Sequence, residues 1–166
     1  MFKLWLTSSF GLGLLPKAPG TWGSLLPLLI ALGCGHFGIT SNWLLTFLIC
    51  LAIANSIITV QCFSWYTKHF NASDPPQVVS DEVAGQSLAL LGMAWLTPND
   101  EVTNIIWITL ACTSFMLFRI LDITKVGLIN KAQKMRNGVG VLMDDLVAGL
   151  VAAMIVAIIS ALIIIQ

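Results

Sequence analysis

The chain has 166 residues, of which 57% are apolar and only 10% are charged, and its mean hydropathy is +0.90. Soluble domains carry about a quarter charged residues, so this composition is typical of an integral membrane protein and excludes an ordinary soluble enzyme. The formal net charge is zero, which gives no basis for a nucleic-acid partner. The four cysteines lie in or beside apolar runs without metal-ligand spacing, so neither a zinc site nor a disulfide framework is expected.

Apolar runs predict a single all-α domain, residues 1–166, built as a bundle of about five transmembrane helices. A helix needs about 20 apolar residues to cross the hydrocarbon. Three runs meet this length well, whereas the first contains Pro27 and the third is short. In chain order the runs are about 22–39, 43–64, 83–97, 104–121 and 146–165.

The distribution of Lys and Arg predicts how this bundle is oriented. With the N-terminus in the cytoplasm, all eight Lys and Arg residues fall on the inner side, and the outer connections 40–42 and 98–103 have none. This asymmetry favours an inside N-terminus and an outside C-terminus. Four polar motifs then lie at the cytoplasmic surface.

The first motif is the Gly- and Pro-rich loop 11–24, which leads directly into an apolar helix. Glycines let backbone N–H groups approach an anion, and a helix N-terminus adds free donors and partial positive charge. Thr21 and Ser24 either add hydroxyl donors to such a site or cap the helix. The loop does not end in the Gly-Lys-Ser/Thr of a Walker loop, and taken alone it fits a plain turn and cap better than an anion site.

The second and fourth motifs place pairs of carboxylates before apolar helices. Asp81 and Glu82 precede the third run, where they either cap a helix against its dipole or bind Mg²⁺ as hard oxygen ligands. Asp144 and Asp145 open the last run. Consecutive carboxylates at the start of a span are costly unless they are exposed, capping or metal-bound, and we favour metal binding here.

The third motif, Arg119, Asp122 and Lys125, ends the fourth run. Spacings of three predict that the side chains share one helical face. In a structural interpretation they form an interfacial ion pair whose long basic side chains extend toward water. In a functional one the two cations bind phosphate and the carboxylate binds a metal ion. An arginine beside a completely apolar run favours the functional interpretation.

Together the four motifs resemble those of the phosphatidylglycerophosphatase A family, in the family's order and over almost the whole chain. The resemblance implies a bacterial inner-membrane, Mg²⁺-dependent phosphatase whose lipid substrate is phosphatidylglycerophosphate and whose product is phosphatidylglycerol. The matching segments are Pro-Lys-Ala-Pro-Gly-Thr-Trp-Gly-Ser (16–24), Asp-Pro-Pro-Gln-Val-Val-Ser-Asp-Glu-Val-Ala-Gly (74–85), Phe-Arg-Ile-Leu-Asp-Ile-Thr-Lys (118–125) and Gly-Val-Gly-Val-Leu-Met-Asp-Asp-Leu-Val-Ala-Gly (138–149).

The resemblance also implies roles for particular residues. It gives five acids a catalytic and metal-binding role: Asp81, Glu82, Asp122, Asp144 and Asp145. It gives four residues a role in binding the phosphate: Thr21, Ser24, Arg119 and Lys125.

One segment departs from the family's usual pattern. After the lysine the family usually continues with Pro-Trp-Pro, whereas this chain has Val126, Gly127 and Leu128. Prolines would stiffen that loop. The charged residues are intact, so the departure puts in doubt loop rigidity and selectivity for the lipid head group.

The sequence leaves the nucleophile and one rival function open. Either a metal-bound water or an aspartate that forms a phospho-enzyme fits the acids. The rival is a non-catalytic ion-binding or transport protein that uses the same carboxylates, but these cluster at one face and do not run through the midplane of the bilayer. Nothing in the sequence decides whether such a small bundle forms a homo-oligomer.

Overall fold

A computed structural model of the protein describes residues 1–96, 101–127, 129–130 and 137–164. This part of the chain contains seven α-helices, one 3₁₀ turn at Leu12–Leu14 and no β-strand, which confirms the all-α class for it. The helices are α1 (Phe2–Thr7), α2 (Pro19–His36), α3 (Ser41–Gln61), α4 (Phe63–Phe70), α5 (Ser80–Leu90), α6 (Glu101–Thr124) and α7 (Gly138–Ile164).

Some sequence predictions fall on residues outside this description. They concern residues 98–100 of the predicted outer connection 98–103, Leu128 of the departing segment, and three of the eight basic residues, Lys131, Lys134 and Arg136.

Three of the described helices are long and apolar enough to cross a membrane. They contain the stretches Ser41–Gln61, Asn104–Thr124 and Gly138–Ile163. Only 22% to 33% of the residues in their apolar windows are buried inside the protein, so the remaining ones keep surface that can face lipid. The chain is therefore built as a membrane protein, but a count of five spans is not confirmed.

The other two predicted spans differ from the helices found. α2 has 18 residues and retains Pro27 in its interior, but it is not apolar enough to count as a candidate span. The predicted span 83–97 is replaced by α5, whose 11 residues reach only about 16 Å, followed by turns through Trp95. Nine of the 11 α5 residues are buried, so α5 is an internal helix and not a lipid-facing one.

Small residues allow α5 to sit in the middle of the bundle, packed against α2, α3, α6 and α7. A Cβ on Gly85 would lie 2.6 Å from the Phe118 ring and 2.7 Å from the backbone carbonyl oxygen of Asp145. A Cβ on Gly149 would overlap the carbonyl oxygen of Gly85. These two glycines therefore bring the backbones of α5 and α7 together and carry the acidic residues with them.

Two hydrogen bonds fix where α5 begins. The hydroxyl groups of Thr59 and Ser80 lie 2.7 Å apart, which ties the end of α3 to the start of α5. The backbone N–H of Val79 donates to the carbonyl of Thr7 over 2.9 Å, which ties α1 to the same place. The polar motifs thus meet at one end of the bundle, and the largest apolar core, which includes Leu48, lies further along the helices.

Candidate active site

Three carboxylates from two helices form the centre of the candidate site. One carboxylate oxygen from each of Asp81, Glu82 and Asp145 lies within 4.8 Å of the other two. Asp81 and Asp145 are buried and Glu82 is half-buried. We call this group the three-acid cluster. Asp81 and Glu82 occupy the first turn of α5, where the helix dipole favours negative charge.

The helix that carries Asp145 begins earlier than the sequence predicted. α7 starts at Gly138, and the predicted span started near residue 146. Asp144 and Asp145 therefore lie about two turns inside a helix that can cross the membrane, and not at its start. Acids at this depth are costly unless another group neutralises them.

The cluster is electrostatically unfavourable when it carries its full negative charge. Burial raises the pKa of Glu82 to about 8, and the charges of Asp145 and Asp122 act in the same direction. Burial, and then the neighbouring charge of Glu82, raises the pKa of Asp81 well above its usual value. Carboxylates in such a place are stable when they are protonated or when a cation neutralises them.

Two ion pairs flank the cluster. Arg119 Nη1 lies 2.6 Å from Asp122 Oδ2, one helical turn along α6, as the spacing predicted. Lys125 does not share that face, so this part of the prediction is wrong. α6 ends at Thr124, and Lys125 takes a left-handed conformation with φ of 46°. Its side chain leaves the helix, and Nζ lies 2.6 Å from Asp144 Oδ2 on α7.

The first turns of α2 bring the glycine-rich motif to the same place. Arg119 Nη1 lies 3.5 Å from the Ser24 hydroxyl. A Cβ on Gly20 would overlap a carboxylate oxygen of Glu82 and lie 3.3 Å from Arg119 Nη1. The absence of a side chain at Gly20 therefore lets the N-terminus of α2 approach both a carboxylate and the guanidinium.

Neither of the two predicted hydroxyl residues caps α2. The N-cap is Ala18, and Ser24 donates to the carbonyl of Gly20 over 2.8 Å within the helix. Thr21 lies in the first turn and is half-buried, and its hydroxyl makes no hydrogen bond within the described residues. The structure thus brings eight of the nine predicted site residues into contact with another of them, and Thr21 lies beside them.

The comparison with known families agrees with this geometry. The family model for phosphatidylglycerophosphatase A matches residues 5–160. The chain belongs to the phosphatidylglycerophosphatase A family. It is therefore a phosphatase of lipid metabolism.

Three named relatives align with most of this chain. The phosphatidylglycerophosphatase A proteins of Escherichia coli and Haemophilus influenzae are each 31% identical to it, over 89% of the chain and over 77% and 82% of their own lengths. A Bacteroides thetaiotaomicron protein named "Putative phosphatidylinositol-3-phosphatase" is 33% identical over 86% of the chain and 84% of its own length. No solved structure matches the chain.

The residues of the acidic site fit a hard divalent cation. Asp81 Oδ1, Glu82 Oε2 and Asp144 Oδ1 are inaccessible to solvent and have no hydrogen-bond partner within the described residues. Unpaired buried carboxylate oxygens are rare because each loses its hydration without compensation. Carboxylate oxygens are also the ligands that Mg²⁺ prefers. The acidic centre therefore has the donor set, the charge and the unfilled bonding capacity that such an ion needs.

Sequence reasoning missed two buried residues beside the acids. Tyr66 and Gln86 are completely buried, and their side-chain polar atoms have no partner within the described residues. Gln86 lies one helical turn after Glu82, a spacing that could have drawn attention to it. Tyr66 is the only tyrosine of the chain, but no spacing connects it to the acids, since its neighbour Val78 belongs to another segment.

Proposed function

We propose that this phosphatase hydrolyses phosphatidylglycerophosphate to phosphatidylglycerol and phosphate, with Mg²⁺ as its cofactor. The observation that carries the proposal is the meeting of the three-acid cluster with two ion-paired cations at one end of the bundle. The names of the Escherichia coli and Haemophilus influenzae relatives support the choice of substrate. A phosphate monoester has the negative charge that such cations bind.

Asp81, Glu82 and Asp145 would hold the Mg²⁺, with Asp122 and Asp144 beside them. When bound, the ion supplies charge neutralisation at the phosphoryl group that is transferred. The chain's own contribution is to keep these carboxylates together against their mutual repulsion. The absence of side chains at Gly85 and Gly149 allows this, because it lets the backbones of α5 and α7 lie in contact beside the acids.

Arg119 and Lys125 would bind the phosphate oxygens. Both cations are held by a carboxylate before the substrate arrives, which fixes their positions and lowers the cost of reorganisation during the reaction. Arg119 keeps its buried Nε without a partner within the described residues, so it has a donor to spare. Ser24 and Thr21, at the N-terminus of α2, would add hydroxyl and helix-dipole contacts.

The acids allow two chemically balanced routes for the phosphoryl transfer. In the first, a carboxylate oxygen attacks phosphorus, the glycerol oxygen of the lipid leaves and takes up a proton, and water then hydrolyses the aspartyl phosphate. In the second, water attacks phosphorus directly, a carboxylate accepts its proton, and the glycerol oxygen of the lipid leaves and takes up a proton. Reductive trapping with borohydride during turnover distinguishes them, because only the first route gives a trapped aspartate.

We further propose that the site faces the cytoplasm at the inner membrane of a bacterium. All eight Lys and Arg residues fall on the inner side of the orientation that the sequence favours. The lipid's acyl chains would then lie against the exposed apolar faces of the spans, with the head group at the surface. A non-catalytic ion path fits less well, because the acids gather at one end of the bundle.

A second substrate is favoured by a specific observation. The Bacteroides thetaiotaomicron relative is named for a phosphoinositide, and it matches 86% of the chain, against 89% for the other two relatives. The departing segment begins with Val126 and Gly127 directly after Lys125, so it lies where a head group would meet the site. Phosphate release should be compared between phosphatidylglycerophosphate and phosphatidylinositol 3-phosphate at equal surface concentration. The lipid that is hydrolysed with the higher kcat/KM identifies the physiological head group.

A further inference from the structure

Tyr66 is a buried polar group that the site described above does not use. It lies on α4, is completely inaccessible to solvent and packs against Cys62 and Val78. The Phe63 ring meets it edge-on with 5.4 Å between ring centroids. Its hydroxyl has no hydrogen-bond partner within the described residues. A buried hydroxyl without a partner is costly, so some group should satisfy it when the protein works.

Two contacts put Tyr66 beside the first turn of α5. Val78, against which the ring packs, is three residues before Asp81. The hydrogen bond between Thr59 and Ser80 holds the end of α3, just before α4, against the residue that precedes Asp81. The hydroxyl of Tyr66 and Oδ1 of Asp81, in the helical turn that follows Val78, are both buried without a partner within the described residues.

The phenol keeps a proton that it can donate in this place. Burial raises the pKa of Tyr66, and the negative charges of Asp81 and Asp74 raise it further. The hydroxyl thus stays protonated over the pH range in which enzymes work, and its proton is attracted toward the neighbouring carboxylate. A gap between two such groups is suited to one bridging water or to a small movement of the side chains.

We propose that Tyr66 is a positioning residue of the acidic site, whose hydroxyl donates to Oδ1 of Asp81, directly or through one water, and so orients that carboxylate for cation binding. The inference rests on the proposed function, since it assigns Asp81 to a cation. Hydrogen bonds to the ligands of a metal ion fix ligand orientation, and their loss typically weakens metal binding by about 10- to 100-fold.

The test is Tyr66→Phe, which keeps the ring and removes only the oxygen. The readout is binding of Mg²⁺ alone, measured as the rise in melting temperature of purified protein during a Mg²⁺ titration. We expect the midpoint of this titration to move to about 10- to 100-fold higher Mg²⁺, and the Mg²⁺ requirement for activity to move in parallel. In EDTA the variant should remain folded and lose no more than the small contribution of one hydrogen bond.

Ser114→Ala is the matched control. It deletes another completely buried hydroxyl without a partner in the described residues, on α6 and outside the acidic site, and should leave the Mg²⁺ midpoint unchanged. An unchanged midpoint in Tyr66→Phe overturns the inference, and so does an equal loss of melting temperature with and without Mg²⁺, which would mean a purely structural role. If wild-type protein shows no Mg²⁺ response at all, the proposed function fails together with the inference.

Discussion

The ammonium group of Lys125 lies 2.6 Å from the carboxylate of Asp144 and joins the end of α6 to the interior of α7. Asp144 is buried, and its second oxygen has no partner within the described residues. The pair therefore does two things. It neutralises a carboxylate inside a candidate span, and it holds a cation beside the three-acid cluster before a phosphate arrives.

Lys125→Met tests both consequences, since methionine keeps most of the length without the charge. We expect kcat/KM to fall by about 10²-fold or more, because a prearranged cation is lost. We also expect stability to fall by a few kcal/mol, about 3 where the loss leaves a buried charge unpaired. Phosphate release and thermal unfolding measure the two effects.

The double variant Lys125→Met with Asp144→Asn is the companion experiment. It removes the unpaired charge, so it should regain most of the stability while the activity stays low. Recovery of activity in the double variant would contradict a role for Lys125 at the phosphate.

Gly85→Ala should damage the site from a distance. The added methyl would meet the Phe118 ring and the backbone of α7, neither of which can move cheaply. Overpacking of this kind costs about 1 to 3 kcal/mol and should push Asp145 away from Asp81 and Glu82. We expect lower thermal stability and a higher Mg²⁺ requirement.

Gly33→Ala is the matched control in α2, because nothing lies within 4 Å of its added methyl. That change should be neutral or stabilising by about 0.5 to 1 kcal/mol, since alanine favours a helix. Equal losses in the two variants would show that the close approach of α5 and α7 is not what matters.

Local spacing predicted part of this site and tertiary packing decided the rest. The pair of Arg119 and Asp122 follows from helical periodicity alone. The partner of Lys125 does not follow from periodicity. Lys125 itself takes a left-handed conformation just after α6, and this directs its side chain to α7. A spacing of three residues contains no signal for where a helix stops.

The fold was predictable to a similar degree. Long apolar runs identified α3, α6 and α7 because length and hydropathy are properties of one segment. The run 83–97 was ambiguous, since a buried internal helix and a short span have the same composition. Only the packing of its small residues against four neighbours distinguishes them. Tyr66 was not predicted for the same reason, because only the packing of the folded chain brings it into contact with Val78.

The raised pKa of Glu82 predicts a pH dependence of stability in EDTA. An unfolded glutamate titrates near 4.5, whereas Glu82 in the folded protein titrates near 8 because of burial and neighbouring carboxylates. Between these values the folded state keeps a proton that the unfolded state has released. Its contribution to stability therefore falls as the pH rises from about 4.5 to about 8.

Melting temperatures of wild type and Glu82→Gln, measured across this pH range, isolate the effect. The wild type should lose stability relative to the variant as the pH rises, and Mg²⁺ should restore more stability at pH 8 than at pH 5, since the cation displaces the proton. A wild-type curve parallel to that of Glu82→Gln in EDTA would contradict the assignment.

The central claim is that the acidic residues at the start of α5 and in α7 form the metal-dependent site of a lipid phosphatase. Phosphate release from phosphatidylglycerophosphate should be measured with purified, detergent-solubilised protein in Mg²⁺ and in EDTA. The measurement should include Asp145→Asn and, as a matched acid-to-amide control, Glu101→Gln at the opposite end of α6. We expect Mg²⁺-dependent release that is lost in Asp145→Asn and kept in Glu101→Gln. Release that persists in EDTA, or in folded Asp145→Asn, would show that these acids do not form such a site.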